Sequence, residues 1–304
     1  MSHPAAGATR HLVVHPRSRV ARNAARLDAL VAALAASPTE TVTVHRSRSL
    51  ADVTAYVAAC AADDVVAVVG GDGMLGAAFA GAARSGAVIL PLPGGSGNDL
   101  CRHLRIPSDA LTAARAARAW SPSPIDLLDV GGRTCVTALL LGYLQRVSDR
   151  GARLRPRHRG VYVMAAVLEL FSSRPEQVTL TAGAERSWTG PVWFVAVAST
   201  SAVGGGVRLA PSARHDDGAL ELVVVRACGR PLADTARLVT TLLAALAGRV
   251  DRLPWVSTVP VRNVRIEAKV VPGLLSADGE PMGSTPAVIR VRAGAARVLA
   301  PGRP

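Results

Sequence analysis

Apolar positions in the first 120 residues follow two alternating rhythms. "HLVVH" (11–15), "TVTVH" (41–45), "DVVAVV" (64–69) and "AVILPL" (87–92) are short apolar or alternating runs of strand length. Between them the spacing lengthens to a helical period. "SRVARNAARLDALVAALAAS" (18–37) puts Val20, Ala24, Leu27, Val31 and Leu34 on one stripe. After Ser49, a residue able to cap a helix, Leu50, Val53, Val57 and Cys60 fall on a second stripe. "SDALTAARAARAW" (108–120) is a further helix. Strand three is continuous in β-branched residues, which suits a strand covered on both faces. A βαβα rhythm of this kind predicts a parallel sheet wrapped by helices.

From Ile125 the texture changes. "IDLLDVGGRTCVTALLL" (125–141) is predicted to be a hairpin around Gly131-Gly132. "QVTLTAG", "GPVWFVAVAS", "GALELVVV", "VRIEAKV" and "AVIRVRA" are further strand candidates. Only 160–171 and 231–248 show the helical period here. The expected plan is therefore α/β plus β: residues 1–124, joined again by 291–304, forming the α/β domain, and 125–290 an antiparallel β-sandwich. "SPSPI" (121–125) has the Pro/Ser composition of a boundary.

Composition narrows this only slightly. The chain has 304 residues and a formal net charge of +13, and Lys269 is its one lysine. That balance favours an anionic partner. No stretch interleaves arginine with stacking aromatics, and aromatics make up only 3% of the chain, so nucleic acid is not expected. "DRGARLRPRHRG", with Arg150, Arg153, Arg155, Arg157 and Arg159, reads either as a solvated loop or as a contact for anionic lipid headgroups. Cysteines 60, 101, 135 and 228 form no CxxC pair and have no histidine at metal spacing; they are expected to be reduced and mostly buried. No leader segment and no run of roughly 18 apolar residues is present, which predicts a cytoplasmic protein.

Three stretches carry candidate chemistry. In "VVGGDGML", Gly70, Gly71 and Gly73 follow a buried strand and open a helix, where free N–H groups and the helix dipole attract phosphate. Asp72 would repel phosphate directly, so it suits a magnesium contact or a base. "ILPLPGGSGNDLCRHL" repeats the arrangement: Ser96 and Asn98 can donate to phosphate oxygens, and Asp99 could cap the next helix. Loops on neighbouring parallel strands open at one carboxyl edge. "GLLSADGEPM" holds Asp278 and Glu280 around Gly279, which is also an ordinary hairpin turn.

Taken in order, GGDG, GSGND and DGEP, with "GGGVRLAPSARHDDGALELVVV" (204–225), resemble the diacylglycerol kinase catalytic family, which includes sphingosine and ceramide kinases. The resemblance implies an NAD-kinase-like α/β nucleotide domain and a β-sandwich lipid domain with an active cleft between them, ATP and Mg2+ as cofactors, and a lipid hydroxyl as acceptor, diacylglycerol first. It implies that Gly70, Gly71, Gly73, Gly95, Ser96, Gly97, Asn98 and Asp99 bind nucleotide, and that Asp72 joins the magnesium and hydroxyl network. Glu280, beside Asp278, or else Asp72 would be the base, and Asp217 a structural magnesium ligand. The expected location is peripheral at the inner membrane face; a homodimer is left open.

The chain departs from the family pattern at His15-Pro16, at Met74 and within "LGAAFAGA" around Ala77, and has "STSAV" where an NG is common. Two alternatives follow: an NAD kinase, against which GSGND counts, and a catalytically silent binder of lipid or nucleotide. Helices 160–171 and 231–247 hold enough Leu, Val and Met either to pack a core or to line a lipid cleft.

Overall fold

The computed structural model describes residues 9–35, 40–154, 159–183, 186–269 and 272–302, with the side chains of Arg159 and Arg186 excepted. The chain divides into two compact units, Met1–Leu127 with Gly294–Pro304, and Leu128–Ala293.

The first unit alternates strand and helix: β1 (Arg10–Val14), α1 (Ala24–Leu34), β2 (Val42–Arg46), α2 (Leu50–Ala58), β3 (Val65–Gly70), α3 (Asp72–Ser85), β4 (Val88–Pro93), α4 (Asp99–His103), α5 (Ala110–Ala116) and the start of β5 (Ser121–Val130). Strands pair parallel in the order β2-β1-β3-β4, with Val68 opposite Val13 and Pro91. Every residue of β3 is buried, as a central strand covered on both faces requires. Ser49 caps α2 by accepting the Asp52 N–H.

Two helical stripes differ from the sequence expectation. α1 begins at Ala24 because Asn23 caps it, accepting the Arg26 N–H, so Val20 lies outside the helix. Its buried side is Leu30, Ala33 and Leu34, and Ala24 is exposed. In α2 only Val53 and Val57 are buried; Leu50 is exposed and Cys60 lies beyond the last turn.

The second unit continues with β6 (Arg133–Cys135), β7 (Ala138–Gly142), α6 (Tyr143–Arg153), α7 (Arg159–Ser172), β8 (Glu176–Ala182), β9 (Arg186–Ala198), β10 (Leu220–Arg226), α8 (Pro231–Leu246), β11 (Val256–Val261), β12 (Asn263–Ala268), β13 (Leu274–Ala277), β14 (Glu280–Ser284) and much of β15 (Ala287–Ala300). Its pairings are antiparallel. Gly131 and Gly132, both at positive φ, turn β5 into β6. The long β9 pairs with β7, β8 and β10.

Alternation along β9 and β10 fixes two cores. Val195, Val197, Leu220, Leu222 and Val224 face the sandwich interior. Phe194, Ala196, Ala198, Val223 and Val225 face the other way, under Tyr143 and Val147 of α6, Ala165 of α7 and Leu238 of α8. The last part of β15 belongs to the first unit, where Arg297 and Val298 pair parallel with Val88 and Ile89 of β4.

α6 replaces part of what the arginine content suggests is a loop. Arg150 and Arg153 are helical; Arg150 pairs with Glu169 and Arg153 with Asp149. Arg155, Arg157 and the Arg159 side chain lie outside the described residues.

Candidate active site

In the first unit, two glycine turns meet. Gly71 is the N-cap of α3 and has no side chain to cap it; the Met74 N–H of the first turn donates to the Gly71 carbonyl at 3.0 Å. The second turn, 94–98, packs directly on the first. A Cβ on Gly94 would lie 2.8 Å from the Gly70 nitrogen, and one on Gly95 would lie 2.5 Å from the Gly71 Cα. Close approach of backbone to backbone is therefore what these glycines permit here. Gly94, which the sequence reasoning passed over, belongs to this contact as much as Gly95.

Asp72 ties the turns together. Its Oδ2 accepts the Asp99 N–H at 3.1 Å and its Oδ1 the Leu100 N–H at 3.0 Å, so it supplies the start of α4 with acceptors. Burial pushes its carboxyl above the ordinary value of 3.8, against the pull of those two amides and of nearby Arg102. Asn98, at φ 53°, closes the second turn: its Oδ1 accepts the Gly95 N–H at 2.8 Å and its Nδ2 donates to the Gly95 carbonyl at 2.9 Å. Asp99 does not cap α4. It is the first helical residue, buried, with its carboxylate on the Arg102 guanidinium at 2.8 Å. Ser96 is exposed at the tip of the turn, and Gly73 and Gly97 are half-buried beside it.

The departures at His15 and Met74 have physical readings. Met74 is buried, and its sulfur would stand 2.5 Å from a Cβ on Gly70; it fills the space under the turn. His15 is exposed, and its ring nitrogen accepts the Arg17 N–H at 3.1 Å.

In the second unit, Asp278 and Gly279 form the two-residue turn between β13 and β14, both at positive φ. The Asp278 carboxylate reaches back along the sequence. Oδ2 accepts the Val136 N–H at 2.9 Å, and Oδ1 accepts the Thr137 N–H at 2.9 Å and the Thr137 hydroxyl at 2.6 Å. Ser199 of the "STSAV" stretch donates to the Val136 carbonyl at 2.9 Å, bracing the same corner. Glu280 follows the turn and is exposed.

Asp217 sits in the turn before β10, exposed, with Oδ1 accepting the Ala219 N–H at 3.1 Å. Burial, and then the charge of Asp217, push the Glu221 carboxyl above its ordinary 4.5. The charge of Asp217 thus reaches Glu221, a neighbour that the Asp-Gly motif does not reveal. The uncapped α3 end fits a phosphate chain.

Cysteine environments are more varied than expected. Cys101 and Cys135 are buried, Cys60 half-buried and Cys228 exposed. His11, Cys60 and Asp64 bring ligand atoms within 4.8 Å of one another, a grouping that residue spacing does not reveal. These atoms already have partners: His11 Nδ1 contacts the Tyr56 hydroxyl at 2.9 Å, and Asp64 accepts the Thr9 and Ala61 amides. Burial pushes the Cys60 thiol up to about 11, which disfavours the thiolate that a metal needs.

Comparison with known proteins decides the family. Residues 10–130 match the diacylglycerol kinase catalytic domain, and residues 137–300 match the YegS C-terminal NAD kinase beta sandwich-like domain. A Xanthomonas campestris protein named "Probable lipid kinase YegS-like" is 32% identical over 265 residues, covering 81% of this chain and 82% of that protein. The chain belongs to the diacylglycerol kinase catalytic family.

Members of this family are lipid phosphotransferases. A Mycobacterium tuberculosis diacylglycerol kinase is 28% identical over 247 residues, covering 78% of this chain and 77% of its own length. Two solved structures from Bacillus anthracis str. Sterne share the fold. One has a TM-score of 0.78 at 20% identity, covering 96% of this chain and 95% of the other. The second, described as a diacylglycerol kinase, has a TM-score of 0.70 at 17% identity, covering 96% and 97%. The family's α/β-plus-sandwich plan is the one observed, with parallel strands in the first unit and an antiparallel sandwich in the second.

Proposed function

We propose that this protein transfers the terminal phosphoryl group of ATP to the hydroxyl of a membrane lipid, diacylglycerol first, giving phosphatidic acid. The observation that carries this reading is the α3 N-terminus: an uncapped helix end at the carboxyl edge of a parallel sheet, flanked by a second glycine turn and held to it by Asp72.

Each residue then has a task. The Gly73 amide of the first α3 turn and the Ser96 and Gly97 amides of the second bind phosphate oxygens, with the Ser96 hydroxyl as a further donor. Asp72 holds the two turns in register, and its remaining lone pairs can take part in the magnesium network. Glu280 is the proposed base: it is exposed and follows a turn fixed by Asp278, so it can take the acceptor's proton. Asp217 and Glu221 are proposed to hold a structural cation. Magnesium, when bound, neutralises charge on the phosphates as the phosphoryl group moves.

The test is radiolabelled ATP with magnesium and mixed micelles of diacylglycerol, ceramide or a sphingoid base, with NAD as a further acceptor. Labelled phosphatidic acid from wild type, and loss of it in Glu280→Ala, supports the reading. Labelled NADP, or no product with any acceptor, contradicts it.

A further inference from the structure

Among the described residues, four strands have a neighbour on one side only: β2, β6, β11 and β14. Such an edge offers N–H and C=O groups to any other chain, and folded proteins blunt it with proline, a bulge or brevity. Three of the four are blunted in this way. β11 contains Pro260, β14 contains Pro281 and faces a register shift in β13, and β6 has three residues. β2 has none of these devices: its five residues run in unbroken register with β1. The Ser47 N–H donates to the Val14 carbonyl at 3.0 Å. By alternation Thr43 and His45 turn their backbone groups toward β1, and Val42, Val44 and Arg46 turn theirs outward. The edge is also stiff. His45 stacks on Tyr56 of α2 at 4.1 Å, and Asp52 accepts from its Nε2 at 2.8 Å. The Arg46 guanidinium donates to the Ala21 carbonyl at 3.1 Å, which ties that charge to the segment before α1. Little ordering is left for a partner strand to impose.

We propose that β2 pairs antiparallel with β2 of a second copy, about a two-fold axis at Val44, and that this makes the protein a homodimer. Such an axis sets Val44 opposite Val44, Val42 opposite Arg46, and Arg48 opposite Glu40. In the Val44 and Val42–Arg46 couples both strands have their N–H and C=O groups outward, so each couple exchanges two hydrogen bonds. Opposite charges meet at both ends of the pairing, and that selects a second copy over an unrelated strand. Arg48 is exposed and in no ion pair among the described residues. Glu40 holds Arg10 at 3.3 Å, and a carboxylate has acceptor sites for a second guanidinium. Side chains opposed across an antiparallel pair share a face, so the other copy's Val44 lies beside Val44. A groove of about 640 Å³ between α1 and β2, lined by Leu27, Val31 and Val44 among others, gives it an apolar seat. Val44 is 39% exposed in the single chain, and the pairing covers it.

The test is sedimentation velocity of the full-length chain over a concentration series, without nucleotide or lipid, so its outcome is independent of the kinase reading. Wild type is expected to pass from monomer to dimer as concentration rises. Val44→Pro removes an outward N–H, which an edge strand tolerates as β11 and β14 do. It should raise the dissociation constant about tenfold or more and leave the unfolding midpoint of the monomer unchanged. Cross-linking checks the register. In a Cys228→Ser background, Val44→Cys should give a disulfide-linked dimer on mild oxidation, because hydrogen-bonded couples stand about 5.5 Å apart at Cα. Thr43→Cys, which faces His45 of the other copy, should give none. If Val44→Pro does not fold, the cross-linking pair decides alone. A wild type that stays monomeric at every concentration, leaving the groove to a peptide or a small anion, would overturn the proposal. So would Val44→Pro that dimerises like wild type, or Thr43→Cys that cross-links as readily as Val44→Cys.

Discussion

Asp72 and Asp278 occupy the same dipeptide, Asp-Gly, in two units of unlike architecture, and both turn their carboxylates on two successive backbone amides far away in sequence. Asp72 takes the amides of Asp99 and Leu100; Asp278 takes those of Val136 and Thr137. The third Asp-Gly acid, Asp217, reaches only its own turn, and Glu280 lies exposed beyond the Asp278 turn. Of these four acids, two brace distant backbone and two lie exposed. A conspicuous acid in a glycine loop can be conspicuous for architecture, and the less prominent acid beside it is the better candidate for chemistry.

Removing a brace should produce the largest stability effect. Asp278→Ala leaves two amides and the Thr137 hydroxyl without their acceptor, and about 3 kcal/mol of stability should be lost in chemical denaturation. Asp72→Ala should cost a similar or slightly smaller amount, about 2–3 kcal/mol, with two amides affected. A mutant of either that unfolds at the wild-type denaturant midpoint would erase the distinction between bracing and exposed acids. Gly95→Ala sharpens the first half of the comparison. Its Cβ would press on the Gly71 Cα at 2.5 Å, so the turns must separate, at about 1–3 kcal/mol.

Glu169 extends the contrast to a buried acid outside the motifs. Burial alone would raise its carboxyl, but the Arg150 guanidinium and the Ser173 and Ser172 hydroxyls outweigh that and hold it below its ordinary 4.5. A lowered folded value means that its contribution is complete above 4.5 and fades as the pH falls through the folded value. Glu169→Gln should therefore lose about 1–2 kcal/mol at neutral pH and show a flatter acid limb in a stability–pH curve. Ser49→Ala, which removes only the α2 cap, should cost about 1 kcal/mol and leave every other property unchanged.

Much of this is legible in the sequence. β3 announces itself as a β-branched run ending in glycine and β4 as an apolar run between glycines, and the Gly131-Gly132 turn needs positive φ at both positions. Other features were hidden for identifiable reasons. The apolar period of α1 continues back through Val20, although Asn23 is the cap. α6 was obscured by its arginines, while Tyr143, Val147 and Gly151 kept the four-residue spacing of a buried face. β11 carries no clear strand signal because Pro260 interrupts it. In α7 the richer apolar stripe turns outward and the buried face carries Glu169, the reverse of what periodicity predicts. The Arg150–Glu169 pair, a contact across nineteen positions, and the packing of Ala165 in the core belong to that inward face. In the site, the spacing of GGDG and GSGND located the two turns, but the bond from Asp72 to α4 depends on the register of neighbouring strands.

The central claim is that Glu280, and not a bracing aspartate, takes the proton in lipid phosphorylation. The most direct measurement is turnover of Glu280→Gln at saturating ATP, magnesium and diacylglycerol, with its unfolding midpoint taken in parallel. The account predicts a fall of about 10²–10⁴-fold in kcat at an unchanged midpoint. Wild-type turnover by that variant would contradict it.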